Sequence, residues 1–65
     1  MQEVKNQDYK KFIDKIVEWE EGIHHDHGKV ETVYFSIPLN RDIARILVGK
    51  DMRQLVDCDL LRFKK

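Results

Sequence analysis

The spacing of apolar residues in the first third of the chain predicts an amphipathic helix. The residues that recur at helical intervals, with Trp19 on the same arc, are Tyr9, Phe12, Ile13, Ile16, Val17 and Ile23. Asn6 or Asp8 can cap the start of this helix, and Gly22 is a natural end. We therefore expect a helix near residues 7–21, followed by a short polar loop over residues 23–28.

A β-branched and aromatic run, VETVYFSI, predicts a strand over residues 30–37. Strict alternation places Val33, Phe35 and Ile37 on one face and Val30, Thr32 and Tyr34 on the other, which predicts a strand that is apolar on both faces. Pro38 ends the strand because proline has no N–H for the ladder. A strand that is apolar on both faces needs more cover than one short helix provides.

The second half of the chain favours short helices. Asn40 can cap a helix whose apolar residues are Ile43, Ala44, Ile46, Leu47 and Val48, with Gly49 as its end. Asp51 and Gln54 have the spacing of a capping box, which predicts a further turn or two through about Val56. Beyond that point, a last strand near residues 59–63 is favoured over a continued helix. The predicted fold class is a small α+β domain over residues 1–65, with no second domain.

The small size of the domain favours self-association. A chain of this length buries too little apolar area to offset its ordering entropy comfortably, and the lone Cys58 cannot form an internal disulfide. Help must come from a metal or from a partner subunit, and the sequence favours the partner. We expect a homo-oligomer in which a second chain completes or covers the strand at residues 30–37.

Hydropathy and charge predict the compartment of the protein and disfavour some classes of partner. The N-terminus lacks an apolar signal region, and no long uncharged stretch predicts a membrane span, so we expect a cytoplasmic protein without membrane contact. Twelve acidic and twelve basic residues give zero formal net charge. That balance disfavours strong nonspecific binding to nucleic acid.

A histidine-rich segment is the densest group of metal-ligand types. His24, His25 and His27 lie in four residues, but neighbouring side chains point apart, and Cys58 would have to supply a distant ligand. Three interpretations of this segment are open: an ordinary loop, incidental metal affinity and a physiological metal site. A pH-sensing role of the histidines is a further hypothesis. The ordinary loop is favoured, and we expect no metal or other cofactor.

No arrangement of residues in the sequence indicates catalysis. The chain has no glycine-rich phosphate loop and no serine with a base at motif spacing. Asp57 and Asp59 are two residues apart, which is more typical of solvated edge residues than of a general acid and base. Cys58 lies between these carboxylates, which disfavour its thiolate. We do not expect an enzyme.

Residues 40–57 resemble a helix-turn-helix motif. The segment NRDIARILVG is similar to a first helix with its turn, and KDMRQLV to a second helix, although Gly49 lies one residue later than the motif usually has it. The resemblance implies a DNA-binding regulator as the alternative function. Its candidate contacts are Arg41, Arg45, Lys50, Arg53 and Gln54.

A partner-binding site is predicted at the end of the first helix. Trp19 lies at the edge of the apolar arc, surrounded by Glu18, Glu20 and Glu21. Glu20 and Glu21 at the helix C-terminus are disfavoured by the helix dipole. Three explanations are open: a last turn that extends past the core, a structural arginine or a basic partner. Trp19 is interpreted either as a half-buried anchor or as a residue that caps the protein's own core or its dimer seam. We expect a small self-associating regulator or inhibitor that binds another protein.

Overall fold

The chain forms a five-stranded antiparallel sheet. The computed structural model describes residues 2–64. The strands are β1 (Ile16–Glu21), β2 (His24–Ser36), β3 (Arg41–Val48), β4 (Met52–Asp57) and β5 (Arg62–Phe63), in the spatial order β4-β3-β2-β1-β5. A 3₁₀ helix, Gln7–Phe12, precedes β1, and a second one, Cys58–Leu60, precedes β5.

The predicted α+β class is wrong, because residues 2–64 contain no α-helix. In place of the amphipathic helix at residues 7–21, the chain makes the first 3₁₀ helix and then enters β1. Asn6 does act as a cap, accepting a hydrogen bond from the Asp8 N–H at 3.1 Å. Asp14 adopts a φ of 67°, a left-handed conformation that interrupts any continuous helix. Val17 and Trp19 then alternate inward along β1.

Residues 30–36 of the predicted strand at 30–37 belong to the longer strand β2, which ends at Ser36, two residues before Pro38. The predicted loop at residues 23–28 is wrong, because β2 already begins at His24. Only Gly22, with a φ of 60°, and Ile23 separate β1 from β2. The β1–β2 connection is therefore a tight hairpin, in which a glycine supplies the positive φ.

A β-bulge in β2 changes which residues face the core. The register with β3 shifts between Val30 and Thr32, where Glu31 is the additional residue. Val30 and Val33 are consequently both buried in the same core cluster, whereas strict alternation would place them on opposite faces. The bulge therefore gives β2 one core-facing side, with Tyr34 half-buried.

The short helices predicted in the second half are also wrong. Residues 41–57 form the β3–β4 hairpin, in which Ala44 pairs with Val56 and Ile46 with Gln54. Gly49, with a φ of 70°, lies in the turn. The predicted last strand at residues 59–63 shrinks to the two residues of β5, which pair with β1.

The core is a single cluster on the inner face of the sheet. Trp19 and Ile46 are its largest fully buried side chains, and complete burial of such an apolar side chain stabilises the fold by about 1.5–3 kcal/mol. The cluster comprises Val4, Phe12, Val17, Trp19, Val30, Val33, Ala44, Ile46, Val56, Cys58 and Leu61. Residues from before β1 and from the second 3₁₀ helix belong to it, so segments outside the strands help to cover the sheet. Within residues 2–64, no helix has the length and apolar character to cross a membrane.

Gly28 allows the backbones of β2 and β3 to approach closely. A Cβ atom at this position would lie 2.5 Å from the carbonyl oxygen of Leu47 and 2.7 Å from Cγ2 of Ile46. Both separations are shorter than a carbon makes with a non-bonded atom, and one of the two atoms is backbone. Position 28 therefore requires glycine for its lack of a side chain.

We predict that Gly28→Ala destabilises the protein by about 1–3 kcal/mol, the range for inserting a methyl group into a packed site. Chemical denaturation followed by tryptophan fluorescence measures the change, because Trp19 is in the core. Lys29→Ala, at an exposed neighbouring position, is the control and should change the free energy of unfolding by less than about 0.5 kcal/mol. Equal stability of Gly28→Ala and the wild type would contradict the close approach.

Candidate functional site

A cleft lies at the end of the sheet where β2 passes into β3. Its volume is about 560 Å³. Five segments contribute to it: the chain before β1, the end of β2, the β2–β3 connection, the start of β3 and the second 3₁₀ helix. The residues that line it are Lys5, Asn6, Tyr9, Phe35, Asn40, Arg41, Asp42 and Asp59.

Asp42 holds the N-terminal segment against the sheet. One of its carboxylate oxygens accepts the backbone N–H of Lys5 at 2.8 Å, and the other accepts that of Asn6 at 3.0 Å. The Lys5 ammonium lies 4.3 Å from the centre of the Phe35 ring, within the range of a cation–π contact. The wall of the cleft is therefore positioned by charge-assisted hydrogen bonds to backbone.

Tyr9 closes the opposite side of the cleft by donating a hydrogen bond from its hydroxyl to Asp59. This bond, with smaller contributions from desolvation and from the Asp59 charge, raises the pKa of Tyr9 to about 12. Asp57 accepts the Asp59 N–H at 3.0 Å and Arg41 at 2.8 Å. These bonds connect the first 3₁₀ helix, the second 3₁₀ helix and β3 around the cleft.

A second, adjoining cleft of about 460 Å³ lies beside the β2–β3 turn and shares Phe35 with the first. It is lined by Gln2, Tyr34, Phe35, Ser36, Ile37 and Pro38. The turn itself carries exposed apolar side chains, with Ile37 63% and Leu39 58% accessible. We call Ile37, Pro38 and Leu39 the apolar tip. Its position next to two clefts makes this end of the molecule a candidate binding surface.

The acidic groups in and next to the clefts are hydrogen-bonded within the protein or buried. Asp42 and Asp57 accept hydrogen bonds from the protein itself. Cys58 is buried, and burial raises the pKa of its thiol to about 12, with neighbouring carboxylates adding to the effect. A thiol of this kind is a poor nucleophile near neutral pH.

The structure places the predicted partner-binding residues on β1. Trp19 is 1% exposed, so it is a core residue, and the half-buried anchor is not formed. Glu18 and Glu20 accept hydrogen bonds from Arg62 at 3.1 and 3.0 Å, which matches the alternative of a structural arginine. The bond from Arg62 lowers the pKa of Glu18. Glu21 is exposed at the end of β1, where no helix dipole acts on it.

The candidate DNA contacts lie on a hairpin, so the predicted helix-turn-helix at residues 40–57 is not formed. Arg45 and Arg53 both bind Glu31, at 3.3 and 2.8 Å, and Arg41 binds Asp57. Lys50 is in the β3–β4 turn, and Gln54 is exposed on β4. Three of the four cations are thus partly neutralised by carboxylates.

The histidines occupy the first part of β2, where successive side chains point to opposite faces. All three histidines are exposed, and Nε2 of His25 lies 3.3 Å from a carboxylate oxygen of Glu18. Across residues 2–64, no three side chains of His, Cys, Asp or Glu converge as a metal site would require.

Neither the clefts nor the apolar tip is predicted by the pattern of the sequence. One local signal was present: Ile37 and Leu39 flank a proline, directly before Asn40, in a segment where turns are usually polar. The cleft itself has no local signal, because its walls come from segments that are distant in the sequence.

Comparison with known proteins adds no functional information: no family model matches the chain, and no curated protein or solved structure matches it significantly.

We predict that the hydrogen bond to Asp59 moves the ultraviolet titration of Tyr9 to higher pH. Because the folded-state pKa is raised from 10.0 to about 12, the bond contributes fully to stability below pH 10 and its contribution is lost as the pH rises through about 12. In Asp59→Ala, the phenolate absorbance of Tyr9 should appear nearer pH 10.

The ultraviolet titration needs two further variants. Tyr9→Phe shows which of the two tyrosine transitions belongs to Tyr9, and Asp51→Ala, an exposed acid in the β3–β4 turn, should leave that transition in place. An unchanged titration in Asp59→Ala would mean that the bond does not form in solution.

Proposed function

We propose that the protein is a small regulator or inhibitor that self-associates and acts by binding another protein. The observation that carries this proposal is the exposed apolar tip beside two adjoining clefts. Ile37 and Leu39 project from the β2–β3 turn, and Tyr34 and Phe35 line the second cleft next to them. Contiguous exposed apolar groups with aromatic neighbours are typical of protein–protein contact surfaces.

The surroundings of the apolar tip fit a protein partner. Lys5, Arg41 and Asp59 line the first cleft, so charged groups of both signs border the apolar centre. This arrangement of an apolar centre and a polar rim favours a specific complementary surface over a uniformly charged polymer. We therefore propose this end of the sheet, and not the acids of β1, as the partner-binding surface.

DNA binding, the alternative function, stays a prediction, but the helix-turn-helix motif on which it rested is not formed. Arg45 and Arg53 both pair with Glu31. The segment that resembled the second helix of the motif forms strand β4. Because Arg41, Arg45 and Arg53 are paired with carboxylates, we retain protein binding as the proposal. Salt-sensitive retention of the protein on DNA would favour the alternative.

We predict that Ile37→Lys and Leu39→Lys weaken partner binding without unfolding the protein. Each places a charge where the partner would desolvate an apolar side chain, so retention of the partner should fall by at least about tenfold, equivalent to about 1.4 kcal/mol. Affinity capture from the native cells, quantified against the wild type, is the measurement. Because both positions are exposed, stability should change by less than about 0.5 kcal/mol.

Two control variants separate the candidate surfaces. Ile23→Lys changes an apolar residue that is 96% exposed in the β1–β2 turn, and it should retain the partner at wild-type levels. Glu21→Lys tests the acids of β1 and should also retain it. Loss of the partner in Glu21→Lys, with retention in the Ile37 and Leu39 variants, would return the binding surface to β1.

A further inference from the structure

Strand β4 is an unprotected edge of the sheet. Within the described part of the chain, it pairs with β3 alone and lies at the end of the strand order. Its register is continuous over six residues, and it has no proline, glycine or bulge to block further pairing. Met52 and Leu55 are 72% and 57% exposed. An edge with these properties is a template for another strand.

The two faces of β4 differ in chemistry. Val56 points into the core, and Gln54 shares its side. The outer face carries Arg53, Leu55 and Asp57, which lie opposite Leu47, Arg45 and Ile43 of β3. A cation, an apolar residue and an anion therefore follow one another at two-residue spacing, with the apolar residue in the centre.

We propose that two copies of the protein pair through β4, antiparallel, about a two-fold axis at Leu55. This inference rests on the self-association in the proposed function and specifies its surface. Leu55 then lies opposite Leu55 of the second copy, and Arg53 of each copy lies opposite Asp57 of the other. The ten strands form one continuous sheet across the dimer.

Side-chain orientation and charge select this register. Directly opposed residues in an antiparallel pair point to the same face, so a two-fold axis must pass through a residue position and not between two positions. An axis at Gln54 would place Arg53 opposite Leu55 and Asp51 opposite Asp57, which opposes two like charges. The axis at Leu55 instead forms two opposite-charge pairs around an apolar pair.

The bonds already made by these side chains are compatible with the dimer. Glu31 binds Arg45 as well as Arg53, so it keeps a cation when Arg53 turns towards the second copy. In Asp57, one oxygen accepts Arg41 and the other accepts the Asp59 N–H. Each carboxylate oxygen has capacity for a further hydrogen bond.

The contact area of one edge-strand pair is small. Interfaces that bury less than about 1,200 Å² in total are typical of weak or transient complexes. We therefore expect a dimer that dissociates on dilution, and sedimentation velocity over a range from low to several hundred micromolar should show a concentration-dependent shift from monomer to dimer.

The axis at Leu55 is tested by charge complementation. Leu55→Lys and Leu55→Glu each oppose two like charges at the axis, so each variant alone should sediment as a monomer. An equimolar mixture opposes Lys to Glu and should restore the dimer. Leu55 is exposed, so both variants should fold, which circular dichroism confirms. Ile23→Lys is the matched control, with the same charge at an exposed apolar site distant from β4, and should dimerise like the wild type.

Disulfide trapping supplies an independent measure of the register. Opposed residues in an antiparallel pair have Cα atoms about 4.5–5.5 Å apart, within the range that a disulfide spans. Leu55→Cys should therefore form a covalent dimer under mild oxidation. Met52→Cys is more exposed, but the two copies of residue 52 lie at opposite ends of the paired strands, and each lies opposite Cys58 of the other copy, whose thiol is buried in the core, so it should not form a covalent dimer. The buried Cys58, whose pKa is raised to about 12, should not interfere.

The outcomes separate the register from self-association itself. A dimer that persists in both charge variants, or that Met52→Cys traps in place of Leu55→Cys, overturns pairing at Leu55 and leaves self-association standing. A wild-type protein that remains monomeric at several hundred micromolar overturns both. Neither result affects the test of the apolar tip, which uses different variants and a different readout.

Discussion

The fold depends on the path of β2, the strand to which both halves of the sheet attach. β2 pairs with β1 through its first part and with β3 through its second, and the two pairings overlap at Lys29. At Gly28 the backbone of β3 comes so close that a side chain cannot fit. Beyond this point, the bulge at Glu31 turns the strand so that Val30 and Val33 both reach the core. A thirteen-residue strand can therefore serve two neighbours while it curves over one core.

The bulge also determines the chemistry of the outer face. The inserted Glu31 lies beside β3 and β4, where it binds Arg45 and Arg53. Towards the opposite edge of the same face, Arg62 of β5 binds Glu18 and Glu20 of β1. Charges of opposite sign are thus paired across neighbouring strands at exposed sites, where such pairs contribute modestly to stability and mainly specify which side chains are adjacent.

The strand at residues 30–37 and its end near Pro38 were predictable, because β-branched residues and a proline act locally. The remainder was not, since short apolar runs fit both periodicities. Val17 and Trp19 are two residues apart, as a strand requires, but Phe12, Ile13 and Ile16 extend them into a helical pattern. Likewise, Ile43 and Ala44 are buried on opposite faces of β3, which removes the alternation that identifies a strand.

The functional residues were predictable only in part. A structural arginine for Glu20 was among the alternatives considered from the sequence. The first cleft was not predictable, because it depends on hydrogen bonds from Lys5 and Asn6 to Asp42, more than thirty positions away.

The pairing of β5 with β1 has a consequence for the order of folding. Val17 pairs with Phe63 and Glu18 with Arg62, so these contacts close a loop that contains most of the chain, whereas β2, β3 and β4 join neighbours through short turns. Loop closure over such a separation costs more entropy than a hairpin does, and non-local pairings form slowly. During synthesis, β1 must wait for its second neighbour until Arg62 and Phe63 have left the ribosome. Until then the edge of β1 at Val17 and Glu18 is open in the nascent chain.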